Sequence, residues 1–159
     1  MSLRYIIDGY NVTNHPDFPR GSRAPAADPR QALLNLIKTR RLSGSPRNRV
    51  DVVFDGYPGE ECGPAYSWAN IIFSREISAD ERIRKMLEVS GNPRNVIVVS
   101  DDKEIRSFAR IFGCRYSNVP DFLGLKPSGR GVKCEIPEPE ISFSEKHRIN
   151  EELKRIWLK

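Results

Sequence analysis

The residues Arg4-Tyr5-Ile6-Ile7-Asp8-Gly9-Tyr10-Asn11-Val12 form a pattern around which the rest of the chain is arranged. The pattern begins as a short apolar run, which is typical of a strand covered by helices on both faces. It then changes abruptly to an acid, a glycine and, two residues later, an amide. We therefore predict a buried strand over residues 3–8 that carries Asp8 to the surface, with Gly9 permitting a sharp turn.

Two further apolar runs end in a similar way. Val50-Asp51-Val52-Val53-Phe54 is followed by Asp55-Gly56, and Val96-Ile97-Val98-Val99 is followed by Ser100-Asp101-Asp102. Weaker strands are predicted over residues 70–74 and 114–117. Helices are predicted over about 28–41, 78–89 and 103–112, where apolar residues recur at helical spacing. This alternation predicts an α/β fold with a mainly parallel central sheet.

Capping residues mark where these helices begin. Asp28 precedes a proline, and Ser78 stands three residues before Glu81, which is the spacing of a capping box. We expect either Ser100 or Asp101 to cap the helix that begins at residue 103. The helices that begin at residues 78 and 103 are thereby predicted to follow shortly after a strand ends.

Several acids are predicted to meet at one edge of the sheet. Parallel strands joined by helices have their carboxyl ends at the same edge, where open α/β sheets bind ligands. Asp8, Asp55 and one of the pair Asp101-Asp102 should therefore be neighbours. Asp80 joins them if the helix that begins at residue 78 starts at this edge. The simpler interpretation is that each aspartate only caps a helix or makes a turn.

Such an acidic cluster predicts a divalent cation. Two carboxylates 4 Å apart repel each other by about 4 kcal/mol at an effective dielectric constant of about 20. A cation removes this repulsion, and Mg²⁺ and Mn²⁺ prefer carboxylate oxygens and water as ligands. We therefore predict a Mg²⁺ or Mn²⁺ site suited to hydrolysis of a phosphodiester. Asn11 and Ser100 are expected to hydrogen-bond water on the metal, or phosphate.

The basic residues point to a polyanionic partner. The net charge is +5 and the sequence pI is about 9.3, a balance that favours nucleic acid. Residues 13–28 are predicted to form a long surface loop that carries Arg20 and Arg23, and we expect these arginines to contact the nucleic-acid backbone. Tyr10, beside the Asp-Gly corner, is a candidate for contacting a base. His15 and His147 are expected to be structural or exposed.

The cysteines and the hydropathy pattern exclude other classes of protein. Cys62, Cys114 and Cys134 form no CxxC pair, so the sequence predicts neither a zinc site nor a disulfide framework. The sequence has no run of 18 apolar residues and no N-terminal apolar segment of the kind found in signal peptides. We therefore expect a soluble cytoplasmic protein with no membrane partner.

Four motifs occur in a specific order along the chain. They are Ile7-Asp8-Gly9-Tyr10-Asn11-Val12, Val52-Val53-Phe54-Asp55-Gly56, Ser78-Ala79-Asp80-Glu81-Arg82-Ile83 and Val98-Val99-Ser100-Asp101-Asp102-Lys103-Glu104-Ile105. Together they resemble the YacP-like NYN domain, a branch of the PIN-like nucleases, over about Leu3 to Leu123. The resemblance implies a three-layer α/β/α PIN-like fold and a Mg²⁺- or Mn²⁺-dependent endoribonuclease.

The resemblance also implies roles for individual residues. Asp8, Asp80 and Asp101 would be the catalytic acids that bind the metal. Residues expected to support the metal or the RNA are Asn11, Asp55, Ser100 and Asp102.

The end of the chain has a different composition. We expect a nuclease domain over residues 1–123, and after it a Gly-, Pro- and Lys-rich connection and a C-terminal helix within residues 124–159. That helix is expected to pack on the domain or on a partner. Besides RNA, the partners expected are a second copy of the chain or a ribosomal or RNA-processing partner.

Two alternative functions belong to other classes. One is a noncatalytic RNA-binding or adaptor module that retains the PIN-like fold, which the complete set of acids argues against. The other is a phosphatase or receiver domain, but Asp8 is followed by Gly-Tyr-Asn and not by an Asp-x-Asp motif. The sequence also has no Gly-rich dinucleotide or P-loop fingerprint.

Overall fold

A computed structural model of the chain describes residues 2–19, 28–58 and 66–124. The predictions on Arg20 and Arg23 lie outside these residues, as do those on His147 and on the C-terminal helix. The proposed division between residues 1–123 and 124–159 therefore stays a prediction.

The described residues form alternating strands and helices. The strands are β1 (Arg4–Asp8), β2 (Arg49–Phe54), β3 (Ala69–Phe73), β4 (Val96–Val99) and β5 (Arg115–Ser117). The α-helices are α1 (Gly9–Thr13), α2 (Pro29–Arg40), α3 (Ala79–Glu88), α4 (Lys103–Ile111) and α5 (Val119–Phe122), and a 3₁₀ turn covers Pro93–Asn95. In this part of the chain no helix has the length and apolar character needed to cross a membrane.

The five strands form one parallel sheet in the order β3-β2-β1-β4-β5. The first strand is therefore central, with β2 on one side and β4 on the other. Ile7 lies in register with Val52 of β2 and with Val99 of β4. This arrangement confirms the α/β fold and brings the ends of β1, β2 and β4 to the same edge of the sheet.

Helices cover both faces of the sheet and complete three layers. Successive strand residues point to opposite faces, so Ile7 packs with α1, α2 and α5, while Ile6 packs with α3 and α4. Both isoleucines are fully buried. The three-layer α/β/α architecture is therefore confirmed.

Side-chain oxygens accept backbone N–H groups at the starts of α2, α3 and α4. Asp28 accepts the N–H of Arg30 and Ser78 accepts the N–H of Glu81, as expected. The cap of α4 differs from the prediction, because Asp102 accepts the N–H of Glu104. Ser100 and Asp101 lie between β4 and α4 in neither a strand nor a helix, so Asp102 is the residue that directly precedes the helix.

Candidate active site

Asp8 lies at the end of the central strand β1, at the edge of the sheet where β1, β2 and β4 all end. Its side chain is only 6% exposed. Oδ1 accepts the N–H of Asn11 at 3.2 Å, which caps α1, and Oδ2 accepts the hydroxyl of Ser100 at 3.2 Å. Both donors are neutral, so the charge of Asp8 is hydrogen-bonded without being neutralised.

Gly9 brings Asp8 close to the neighbouring strand. A Cβ atom at this position would lie 2.2 Å from the ring of Phe54, which is far inside contact distance. The residue begins α1, so the sharp turn expected from the sequence is replaced by a helix start. Glycine is needed here for close packing against Phe54.

Asp80 belongs to a second group of acids. It lies in the first turn of α3, and its carboxylate faces Asp102 and Glu104 from the start of α4. One side-chain oxygen from each of these three residues lies within 4.8 Å of the others. Helices α3 and α4 therefore bring three carboxylates together at their N-termini.

The pKa values of the acids reflect this crowding. The pKa of Asp8 is raised from 3.8 to about 6, mainly by burial and in smaller part by the nearby charges of Asp80 and Asp102, against the hydrogen bonds from Asn11 and Ser100. The pKa of Asp80 is also raised. Burial is again the largest cause, and the neighbouring carboxylates add to it. Both carboxyls therefore lie where burial, and to a smaller extent neighbouring negative charge, disfavours the ionised form.

Asp101 is placed differently from the other acids. It is exposed, and its Oδ1 accepts the N–H of Val119 at 2.9 Å. Its Oδ2 lies 3.1 Å from Nε2 of His15. Nδ1 of His15 accepts the N–H of Asp17, so the proton of a neutral imidazole lies on Nε2 and points to Asp101. Each carboxylate oxygen keeps a lone pair for a further ligand.

Asn11 and Ser100 connect the acids through hydrogen bonds. The side-chain Oδ1 of Asn11 accepts the N–H of Asp101 at 2.8 Å, while its own N–H binds Asp8. The hydroxyl of Ser100 donates to Asp8 and accepts the N–H of Asp102 at 3.1 Å. These two residues therefore fix the end of β1 to the segment that follows β4.

Asp55 and Tyr10 lie on the other side of the site. Asp55 follows β2, is exposed, and accepts the hydroxyl of Ser74 at 2.7 Å. Tyr10 is partly buried and its ring meets the edge of Phe54, with ring centroids 5.2 Å apart. Both residues border the same open cavity as Asp8.

This cavity has a volume of about 590 Å³. The residues that line it are Asp8, Tyr10, Asn11, Asn14, His15, Asp55, Ser78, Ala79, Asp80 and Asp101. Asp8, Asp80 and Asp101, the three acids predicted to be catalytic, thus border one space. The carboxylates of Asp102 and Glu104 lie beside that of Asp80, which lines the cavity.

Two residues of the site were not identified from the sequence. His15 was expected to be structural or exposed, but it lines the cavity and contacts Asp101. The sequence gives Glu104 no role of its own within its motif, although its carboxylate lies with those of Asp80 and Asp102. Its position in the first turn of a helix, beside two other acids, was an available signal for Glu104. No signal in the sequence connected His15 with Asp101.

The donor set fits a hard divalent cation. Within residues 2–19, 28–58 and 66–124, no lysine, arginine or histidine forms an ion pair with Asp8, Asp80, Asp102 or Glu104. The available ligand atoms are carboxylate oxygens, which suit Mg²⁺ or Mn²⁺. A cation at this position would offset the burial and the repulsion that together raise the pKa of Asp8.

Comparisons with known proteins agree with this architecture. Two crystal structures of Rae1 (YacP) from Bacillus subtilis have a similar fold. The structure of a tryptophan-to-leucine mutant is 22% identical, with a TM-score of 0.55, over 97% of this chain and 83% of that chain. The other is 21% identical, with a TM-score of 0.59, over 98% and 82%. A comparison with curated proteins found no match.

The family assignment comes from the sequence itself. The sequence model of the YacP-like NYN domain matches residues 5–155, and so extends past the segment that carries the four motifs. The chain therefore belongs to the YacP-like NYN domain family, whose domain is of the ribonuclease type.

Proposed function

We propose that this protein is a metal-dependent endoribonuclease that hydrolyses RNA phosphodiester bonds at the cavity bordered by Asp8, Asp80 and Asp101. The family supports a ribonuclease-type domain. The observation that carries the metal dependence is the crowding of carboxylates around a buried Asp8 that has no basic partner among the described residues. The proposed cofactor is Mg²⁺ or Mn²⁺.

The acids of the site hold the cation. Asp8 offers an oxygen at the end of the central strand, and Asp80 offers one from the first turn of α3. Asp102 and Glu104 lie close enough to Asp80 to share a cation with it. Asp101 borders the same cavity from the side of His15. A bound cation neutralises charge on the phosphodiester and lowers the pKa of a coordinated water.

Neighbouring residues position these acids and the substrate. Asn11 and Ser100 hold Asp8 beside the chain after β4 through the hydrogen bonds described above. Asp55 and Tyr10 border the cavity on the side of β2, where Tyr10 is proposed to meet a base. Arg20 and Arg23, which lie outside the described residues, are proposed to contact the RNA backbone.

The decisive experiment measures cleavage of single-stranded and structured RNA with Mn²⁺, Mg²⁺ or a chelator. A metal that stabilises the reacting charge is worth several kcal/mol, so Asp8→Asn and Asp80→Asn should each lower the cleavage rate by about 100-fold or more. Glu81→Gln is the matched control. Glu81 is next to Asp80, but its carboxylate pairs with Lys85 at 3.3 Å, so its loss should leave the rate unchanged.

The roles of the two acids after β4 are separated by the same assay. Asp101→Asn changes the carboxylate that contacts His15, and Asp102→Asn changes the carboxylate that lies with Asp80 and Glu104. The variant with the larger loss of cleavage identifies which of the two acids binds the metal. Thermal denaturation with Mn²⁺ gives an independent test, because a bound cation stabilises the folded state. Cleavage that continues in chelator would contradict the proposal. RNA binding without cleavage under any metal would favour the adaptor function.

Other expectations from the sequence remain predictions. A cytoplasmic location fits a ribonuclease, and RNA is the proposed substrate. A second copy of the chain, or a ribosomal or RNA-processing partner, is proposed for the C-terminal segment.

A further inference from the structure

An arginine lies close to the acids on the exposed face of α4. Arg106 follows the cap residue Asp102 by four positions, and its N–H donates to the carbonyl of Asp102 at 3.1 Å. One helical turn separates the two residues, which is about 6 Å along the helix axis. The Arg106 side chain therefore begins one turn beyond Asp102, the residue that caps α4.

The side chain of Arg106 is held against an aromatic ring. Its Cζ lies 5.3 Å from the ring centroid of Tyr116 in β5. Tyr116 is partly buried and packs on the core formed by α3 and α4, so its ring is a fixed surface. Stacking on a fixed ring limits the conformations of the arginine while its N–H groups stay available for a ligand.

The surroundings of Arg106 are negatively charged, yet its guanidinium forms no ion pair with any residue that the structure describes. Burial and the charges of Asp101, Asp102 and Asp121 raise the pKa of Tyr116, while Arg106 lowers it. The ring therefore lies within the field of the acids. Even so, among the residues described by the structure, Arg106 has no carboxylate within ion-pair distance.

This placement matters for any strand that reaches the acids. Phosphates that flank the reacting bond are repelled by the carboxylates, so a cation just outside the acidic group is needed to hold them. A guanidinium presents two parallel N–H donors that match a phosphate group. An exposed arginine fixed by stacking loses less freedom on binding than an unrestrained side chain.

We propose that Arg106, held against Tyr116, binds a backbone phosphate of the RNA strand one turn of helix away from the acidic group. This inference rests on the proposed function, because it takes RNA as the ligand of the site. It assigns the strand a direction across α4 towards β5. The chemical group recognised is a phosphodiester, independent of base sequence.

The test is binding of a fluorescent single-stranded RNA in chelator, measured by anisotropy at several salt concentrations. Arg106→Ala should weaken binding by about fivefold to tenfold and reduce the salt slope by about 0.7, which is the value for one phosphate contact on a single strand. Arg106→Lys should recover only part of the affinity because it lacks the paired donors. Tyr116→Leu should weaken binding less than Arg106→Ala.

Arg94→Ala is the matched control. Arg94 is also exposed, but it lies in the turn before β4, at the opposite edge of the sheet from the acids. Its replacement removes the same charge and should change affinity by less than about twofold. Equal losses in Arg94→Ala and Arg106→Ala, or unchanged binding in Arg106→Ala, would overturn the proposal.

Binding in chelator separates this inference from the proposed enzyme activity. If the wild type binds RNA through Arg106 but cleaves no RNA with either metal, the phosphate position stands and the nuclease function fails. If the wild type cleaves RNA in a metal-dependent way and Arg106→Ala binds normally, the nuclease function stands and the phosphate position is wrong.

Discussion

Two buried aspartates on neighbouring strands have opposite surroundings. Asp51 in β2 is fully buried and lies 2.6 Å from Nε of Arg4, 3.6 Å from Nε of Arg49 and 2.7 Å from Nδ2 of Asn70. Asp8 in β1 is almost as buried, but its two donors are neutral and its charged neighbours are other acids.

The difference shows what each edge of the sheet does. Burying a carboxylate costs free energy unless it is paired. Near the start of β2, Arg4, Arg49 and Asn70 offset that cost through their contacts with Asp51. Asp51 thereby links the starts of β1, β2 and β3. At the end of β1, the cost is only partly offset. Asp8 can therefore gain a large interaction energy from a cation that arrives later.

Removing the neutralised carboxylate should have the largest effect on folding. Asp51→Ala leaves Arg4 beside a buried site without its partner, and breaking such a pair typically costs about 3 kcal/mol or more. We expect a loss of this size in urea denaturation at pH 7.5. Cleavage per folded molecule should stay at the wild-type rate, since Asp51 lies away from the cavity. A loss below about 1 kcal/mol would show that the pair contributes little.

Replacing Asp8, whose charge is not neutralised, should stabilise the folded protein in chelator. The pKa of Asp8 is raised from 3.8 to about 6. The folded state therefore holds its proton more tightly than the unfolded state, and wild-type stability falls as the pH rises from about 4 to 6. The isosteric Asp8→Asn has no such charge. At pH 7.5 it should be more stable than the wild type by up to about 3 kcal/mol, since one pKa unit is about 1.4 kcal/mol.

Two further measurements sharpen this prediction. The gap in unfolding free energy between Asp8→Asn and the wild type should shrink as the pH falls from 6 towards 4, where the wild-type carboxyl is protonated in the folded state. Adding Mn²⁺ should stabilise the wild type more than the variant. A variant that is less stable than the wild type at pH 7.5 in chelator would mean that Asp8 is stabilised by its surroundings, as Asp51 is.

The fold and the main acids could be predicted from the sequence for a simple reason. Apolar runs of strand length ending in Asp or Ser-Asp-Asp determine both the parallel strands and the edge at which they end. The boundaries agree to within one or two residues for β1 and β4. Asp8 and Asp80 could be assigned to one edge because each stands where an element starts or stops.

The remaining features depend on contacts that the sequence does not encode locally. His15 meets Asp101 across 86 positions, and this contact depends on how the chain after α1 passes over the sheet. The role of Gly9 depends on the position of the Phe54 ring. The pairing of Asp51 depends on Arg4 and Asn70, which belong to other strands, so the strand that contains Asp51 carries no sign of it.

The smallest expected effect comes from the one side-chain hydroxyl that binds Asp8. In the wild type, the hydrogen bond from the Ser100 hydroxyl lowers the pKa of Asp8, and Ser100→Ala removes that bond. Its loss should cost about 1.5 kcal/mol at pH 7.5, as is usual for a hydrogen bond to a charged group. The cost should decrease towards pH 5, because the pKa of Asp8 rises further and more of the carboxyl is neutral.

Ser74→Ala is the matched control for this prediction. Like that of Ser100, the Ser74 hydroxyl donates to an aspartate, which is Asp55, and accepts a backbone N–H, which is that of Gly56. Ser74 makes no hydrogen bond to Asp8 in the described structure, so the cost of Ser74→Ala should not follow the titration of Asp8. If the cost of Ser100→Ala is equally independent of pH, the hydroxyl of Ser100 only fills space, and the charge of Asp8 is held by the N–H of Asn11 alone. A pH dependence confined to Ser100→Ala would show that the end of β1 is tuned to keep a buried carboxylate ionised.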